Sequence, residues 1–186
     1  MGKLVYWMNC SLDGFVNDAN GEFDWGAPSE EVLTAINDEM EGVSTYLYGR
    51  RIYELMRVWE LDPAFASGDS PGSARFARIW QQAEKIVYST TLPAVDTART
   101  RLERTFDPEA IRRLKAEAEG DLTVDGPTLA AHALRHGLVD EISPLVSPIV
   151  LGGGLPLLPA GLRLDLTLTG TRHFDSGAVR LSYAVR

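Results

Sequence analysis

Short β-rich runs recur along this chain, and the material between them changes character part-way. Runs at 4–8, 45–48, 85–89 and 122–124 are separated by helical patterns at 30–40, 50–58, 73–83, 108–119 and 127–135, whereas the runs at 142–151, 162–174 and 178–185 follow one another with only loops between. Strands joined through helices lie parallel in one sheet, and strands joined directly turn back on themselves. The pattern therefore predicts an α/β domain in three layers: a mixed, mostly parallel central sheet, flanking helices and a C-terminal antiparallel hairpin. Within the tail, Leu162, Leu164, Leu166 and Leu168 alternate with polar residues, as a strand with one buried face requires. Asp175-Ser176-Gly177 supplies the hairpin turn.

A chain of 186 residues builds one core of ordinary size, so residues 1–186 are read as a single domain. Segment 63–72, rich in Ala, Ser, Gly and Pro, is expected to be a mobile loop too short to divide it. No apolar run approaches the ~20 residues that cross a bilayer. The opening residues lead straight into a strand rather than a secretion signal, so a cytoplasmic protein with no membrane partner is expected. The one cysteine, Cys10, excludes an internal disulfide and a cysteine metal cluster. His132 and His136 sit four apart on a helix without nearby ligand partners, so no metal is expected.

A net charge of -8 repels nucleic acid, so any anionic ligand must be held by local geometry. Gly49-Arg50-Arg51 stands where a strand hands over to a helix. There, free N–H groups and two guanidinium forks suit phosphate oxygens. The plainer alternative is one solvated arginine and one surface ion pair. Ser89-Thr90-Thr91 closes a second strand, and Asp125-Gly126-Pro127-Thr128 closes a third just before a helix. Ligands of open α/β sheets gather outside such strand ends, so the three could line one groove for an extended phosphate-bearing molecule; otherwise they are ordinary turns.

A second candidate lies in the long segment 9–31, which carries Asp13, Asp24, Trp25 and Glu30 ahead of a helix capped by Ser29. Helical spacing places Glu30 on the flank of the stripe formed by Val32, Leu33, Ile36 and Met40, able to face a partly apolar pocket, and Glu31 in solvent. Both carboxylates would equally serve the helix dipole. Trp7 and Trp25 could wall a flat heteroaromatic ligand, or belong to the core.

Taken in order, "SLDGFV" (11–16), "DW" (24–25), "GRRIYE" (49–54), "VYSTTL" (87–92), "VDGPTLAAHAL" (124–134), "GLVDEI" (137–142), "SPIVLGGGLPLL" (147–158) and "SGAVRLSY" (176–183) carry a resemblance over nearly the whole chain. The sequence resembles the dihydrofolate reductase-like superfamily, most closely the reductase domain of the bifunctional riboflavin-biosynthesis deaminase-reductase. That resemblance implies an NADPH-dependent oxidoreductase passing hydride to a small pterin-like or pyrimidine-like heterocycle, with pairing into a homodimer among the family's habits. It also admits an alternative, a non-catalytic NADPH-binding protein of the same fold.

By the same resemblance, Gly49, Arg50 and Arg51 meet the cofactor's phosphates, and Ser89, Thr90 and Thr91 its adenosine ribose and 2′-phosphate. Gly126 and Pro127 form the turn against the pyrophosphate. Asn9 meets the nicotinamide, Asp13 and Gly14 begin a covering loop, and Gly152, Gly153 and Gly154 lie near substrate and cofactor. Asp13 and Glu30 are the implied catalytic pair, Glu30 anchoring a protonated ring edge. Three positions depart from the family: Asp125 replaces the first of two glycines, Ile52 a threonine and Phe15 a lysine.

Overall fold

The computed structural model describes residues 1–186. The first half of the chain forms β1 (Leu4–Ser11), β2 (Phe15–Asn17), a 3-10 turn at Asp24–Gly26, α1 (Glu30–Met40), β3 (Val43–Gly49), α2 (Arg50–Met56), α3 (Val58–Leu61), α4 (Pro63–Ser67) and α5 (Pro71–Gln82). The second half forms β4 (Glu84–Tyr88), β5 (Thr100–Glu103), α6 (Pro108–Glu117), β6 (Asp121–Asp125), α7 (Pro127–Arg135), β7 (Glu141–Ser147), β8 (Leu155–Pro156), β9 (Leu166–His173) and β10 (Val179–Val185).

Eight strands make one sheet in the order β5-β4-β3-β6-β1-β7-β10-β9, and β2 pairs with β8 separately. Strands β5 to β7 run parallel; β10 lies antiparallel to both β7 and β9. Strand alternation then splits the core in two. Leu47, Ile86, Leu122 and Val124 face Ile111 of α6 and Leu129, Ala130, Ala133 and Leu134 of α7. Tyr46, Tyr48 and Val87 face Leu33 and Met40 of α1 and Phe76 and Trp80 of α5. Burying each such large side chain contributes about 1.5–3 kcal/mol, which is what holds the helices to the sheet. The expected three-layer, mostly parallel α/β architecture with its antiparallel end is thus the observed one.

Several expected elements are corrected. The run 142–151 stops as a strand at Ser147, because Pro148 removes a ladder donor and the following glycines favour a loop. The run 162–174 becomes a strand only from Leu166, and although Leu166 packs against the core, Leu168 is 52% exposed on β9, the sheet's edge strand. Segment 63–72 is not a plain loop: Asp62 caps α4 and Ser70 caps α5 through backbone N–H groups. Strands β2, β5 and β8 carry too few residues to show a periodicity. No helix is long and apolar enough to cross a membrane.

Candidate active site

All parallel strands end on one edge of the sheet, so Ser11, Gly49, Tyr88, Asp125 and Ser147 share that edge. The chain wraps α1 and α5 over one face but α6 and α7 over the other. Strand β6, whose following helix goes to the second face, sits between β3 and β1, whose following helices go to the first. Chains diverging in this way leave a crevice at the carboxyl ends. Its shape follows from the register: Leu4, Val5 and Tyr6 pair with Leu122, Thr123 and Val124, and β6 ends at Asp125 while β1 runs on to Ser11. Beyond Asp125, that side of β1 faces an opening instead of a strand.

On the β3 side, Gly49 is the N-cap of α2, as the sequence indicates. The Arg50 guanidinium donates through Nε to Glu54 at 2.8 Å and through an Nη to Thr91 Oγ1 at 3.1 Å, which joins segment 49–51 to segment 89–91. Arg51 is exposed and makes no ion pair. Ser89 Oγ accepts the N–H groups of Thr91 and Leu92, so the Ser-Thr-Thr turn is folded by its own hydroxyl. Thr90 is exposed beside it.

Gly126 opens α7 with φ 94, and a β-carbon there would lie 2.8 Å from Ile52 Cγ1. The side chain of Ile52 therefore packs on the glycine turn and fixes segment 126–127 against α2. No side chain caps α7, and Pro127 stands at its start, so the free N–H groups of its first turn remain for a ligand.

On the β1 side, Asn9 Nδ2 donates to the Gly26 carbonyl at 3.0 Å, tying the strand to the 3-10 turn that carries Trp25. Asn9 Oδ1 and Trp25 Nε1 are buried without partners. Asp13 accepts from Ser11 Oγ at 2.6 Å and from the backbone N–H groups of Leu151 and Gly152 at 3.1 and 2.7 Å. These donors hold its carboxyl below the usual aspartate range, the Ser11 hydroxyl foremost. Gly14 accepts the Leu157 N–H, and Asn17 Oδ1 accepts the Leu155 N–H, so Gly152, Gly153 and Gly154 form a loop stitched to the segment after β1. A β-carbon on Gly154 would come within 1.9 Å of the Asn17 carbonyl oxygen.

Two expectations for this side change. Glu30 is exposed at the seam of α1 and α5 near Gly72, not set in an apolar pocket. The reason is direction: Val32 and Leu33 of the same turn take the sheet-facing side, and Glu30 points to the rim beside Gly72. Glu31 is exposed as expected but also accepts the Asp175 N–H at 3.1 Å. Trp7 is engaged in packing: its Nε1 donates to Glu39 of α1, and the guanidinium of Arg180 lies 4.9 Å from its ring. Trp25 alone of the two tryptophans belongs to the opening beside Asn9.

Two further residues shape this edge, and the first of them, Arg104, had no mark in the sequence. Arg104 donates to the carbonyls of Ser89, Leu92 and Pro93, holding the Ser-Thr-Thr turn from behind. Nothing in its own segment announced that role. Asp125, visible only as a departure from a double glycine, pairs in the ladder with Tyr48 and receives the Thr123 hydroxyl at 2.8 Å.

A mostly parallel sheet with a topological crevice at its carboxyl edge, helices on both faces and an antiparallel end defines an α/β domain of the dihydrofolate reductase-like type. A family described as the RibD C-terminal domain matches residues 3–180, and the chain belongs to it. The Bacillus subtilis "Uncharacterized protein YyaP" is 27% identical over 186 residues, covering 97% of this chain and 94% of its own. "Riboflavin biosynthesis protein RibD" of Mycobacterium tuberculosis is 41% identical over 58 residues, covering 31% of this chain and 17% of its own. Among solved structures, a putative riboflavin biosynthesis protein from Shewanella sp. PV-4 superposes with TM-score 0.76 at 24% identity, covering 100% of this chain and 99% of that one. A Thermotoga maritima deaminase and 5-amino-6-(5-phosphoribosylamino)uracil reductase superposes with TM-score 0.68 at 14% identity, covering 100% of this chain and 57% of that one.

Proposed function

We propose that the chain binds NADPH along the carboxyl edge of its sheet and reduces a small nitrogen heterocycle, pterin-like or pyrimidine-like. The observation that carries this reading is the joining of three distant segments, 49–51 to 89–91 through Arg50 and Thr91, and 49–52 to 126 through Ile52 and Gly126. Together they present cations, hydroxyls and uncapped helix N–H groups in a row, the donor set that phosphate and ribose oxygens require. Arg50, Arg51, Ser89, Thr90 and Thr91 would hold the adenosine phosphate end, and the Gly126-Pro127 turn the pyrophosphate. Asn9 and Trp25 offer one unpartnered acceptor and one unpartnered donor beside the opening.

When bound, the reduced nicotinamide supplies a hydride, and the protein's part is to orient the reactants and exclude water. Asp13, ionised and clamped, would order the loop 151–154 over the site rather than pass protons. Glu30, standing in solvent at the mouth, would meet a protonated ring edge. Pairing of two copies belongs to the same reading, with the uncovered β9 edge and its exposed Leu168 as the face involved.

Saturable quenching of tryptophan fluorescence by NADPH, together with loss of NADPH absorbance on adding dihydrofolate, the riboflavin-pathway pyrimidine or a simple pterin, is the expected result. Reversing charge at Arg50 and Arg51 should weaken NADPH binding by about tenfold or more, corresponding to ~1.4 kcal/mol, with a smaller effect on NADH. Quenching without oxidation of any substrate would favour the binding protein without turnover. Absence of both would remove the reading.

A further inference from the structure

Asp125 is the carboxyl for which neither the resemblance nor the dinucleotide groove has a use, and it stands at the crevice. Leu122 and Val124 point to the α7 side, so Thr123 and Asp125, alternating with them, point to the side that carries Trp7 and Asn9. In the ladder Asp125 lies beside Tyr48 of β3, and continuing the β1 register places Trp7 on its other flank and Asn9 two residues further along the same face. One carboxyl oxygen, Oδ2, is fixed by the Thr123 hydroxyl. The other, Oδ1, has no protein partner, on a residue that is only half-buried. A carboxyl anchored through one oxygen and open through the other, at the place where β6 gives way to the opening, is positioned to exchange a proton with a ligand there.

We propose that Asp125, rather than Asp13 or Glu30, holds the proton that the reaction delivers to the nitrogen or oxygen of the substrate's C=N or C=O bond, giving it from Oδ1. This rests on the reductase reading above. The bound nicotinamide would supply the hydride of the new C–H bond; as the π electron pair of the C=N or C=O bond passed to the heteroatom, that atom would take the Oδ1 proton of Asp125. Asp125 is left as a carboxylate and recovers a proton from solvent, so one hydride and one proton are consumed per turnover.

The surroundings favour the protonated form of this carboxyl over what an exposed aspartate would show. Burial pushes Asp125 up to about 7, with the Thr123 hydroxyl opposing. The titratable groups on its own face are the phenols of Tyr46 and Tyr48 from β3, raised chiefly by burial and further by this carboxyl; Tyr6 of β1 points to the opposite face, and its phenol is raised in the same way. Trp80 of α5 reaches the cluster only to donate to the Tyr48 hydroxyl, and no cation acts on Asp125 from the covering helices. By contrast, Asp13 is held ionised by its donors, and Glu30 is in solvent. A general acid works best when it titrates near the operating pH.

The test begins on the free protein, where carbon-13 resonances of labelled aspartate side chains are followed against pH and the Asp125 signal is identified by its loss in Asp125→Asn. A midpoint near neutrality is expected; a midpoint in the ordinary aspartate range would overturn the proposal. Turnover by the wild type should then fall about tenfold per pH unit above that midpoint. Asp125→Asn should lower kcat by about a hundredfold and abolish that limb while binding NADPH as the wild type does. Thr123→Val, which removes the opposing hydrogen bond, should move both the resonance midpoint and the limb to higher pH. Turnover that is unchanged in Asp125→Asn would sink this role alone, whereas absence of NADPH binding and turnover in the wild type would remove the reductase reading and this role with it.

Discussion

At the scale of single residues, two aspartates with opposite surroundings make opposite predictions. Asp13 is stabilised as an anion, so its clamp on Leu151 and Gly152 is present above the ordinary aspartate pKa and is lost as pH falls through its lowered value. Asp13→Asn should speed hydrogen exchange at the Leu151 and Gly152 amides at neutral pH, a difference that shrinks in acid as the wild-type carboxylate is protonated. Asp125 is raised from 3.8 to about 7, so its contribution to stability is full below the unfolded value and is lost as pH rises through about 7. At full burial that shift is worth about 4 kcal/mol; its partial exposure reduces this to roughly 2 kcal/mol. Asp125→Asn should accordingly match the wild type in urea unfolding near pH 4 and exceed it by about that amount at pH 8. Aspartate at 13 and aspartate at 125 are the same letter, and only the neighbours each acquires separate a clamp from an acid.

Among the elements, the helices were the most legible. Glu30–Met40 and Pro127–Arg135 have the bounds read from the sequence, because caps and prolines at their starts are local signals. Strands β2 and β8 were invisible, since they pair only with each other and exist only because residues 11–17 and 147–157 are brought together. The glycine loop between them is sterically specified: Gly154 has φ 137 and no room for a β-carbon. Gly154→Ala should loosen this pairing and destabilise the fold by about 2–4 kcal/mol, read as a lower urea midpoint. Pro144 lies inside a sheet in which β7 is not an edge. It is tolerated because the β7–β10 ladder is broken between Leu145 and Ile142, where the Arg180 guanidinium reaches the Ser143 carbonyl instead. A strand signal with a proline gave no warning of that substitution of side chain for ladder.

For the whole molecule, a ligand that binds only the folded chain must raise its thermal midpoint. NADPH at a hundred times its dissociation constant should add about 2.7 kcal/mol, or roughly 5–10 °C for a domain of this size, and the shift should shrink when Arg50 and Arg51 are reversed in charge. Light scattering should return about twice the 20.4 kDa chain mass if β9 edges pair. By itself, the sequence determined the kind and order of the principal elements, the glycines at turns and the gathering of parallel strand ends on one edge, because caps, periodicity and helical crossovers are set by near neighbours. Tertiary structure alone decided that β6 enters between β3 and β1, that Trp7 is taken up by Glu39 and Arg180, and that Asp125 meets the crevice with one oxygen unpaired. Desolvation and hydrogen bonding between segments distant along the chain set those outcomes, and they exist only once the sheet has closed.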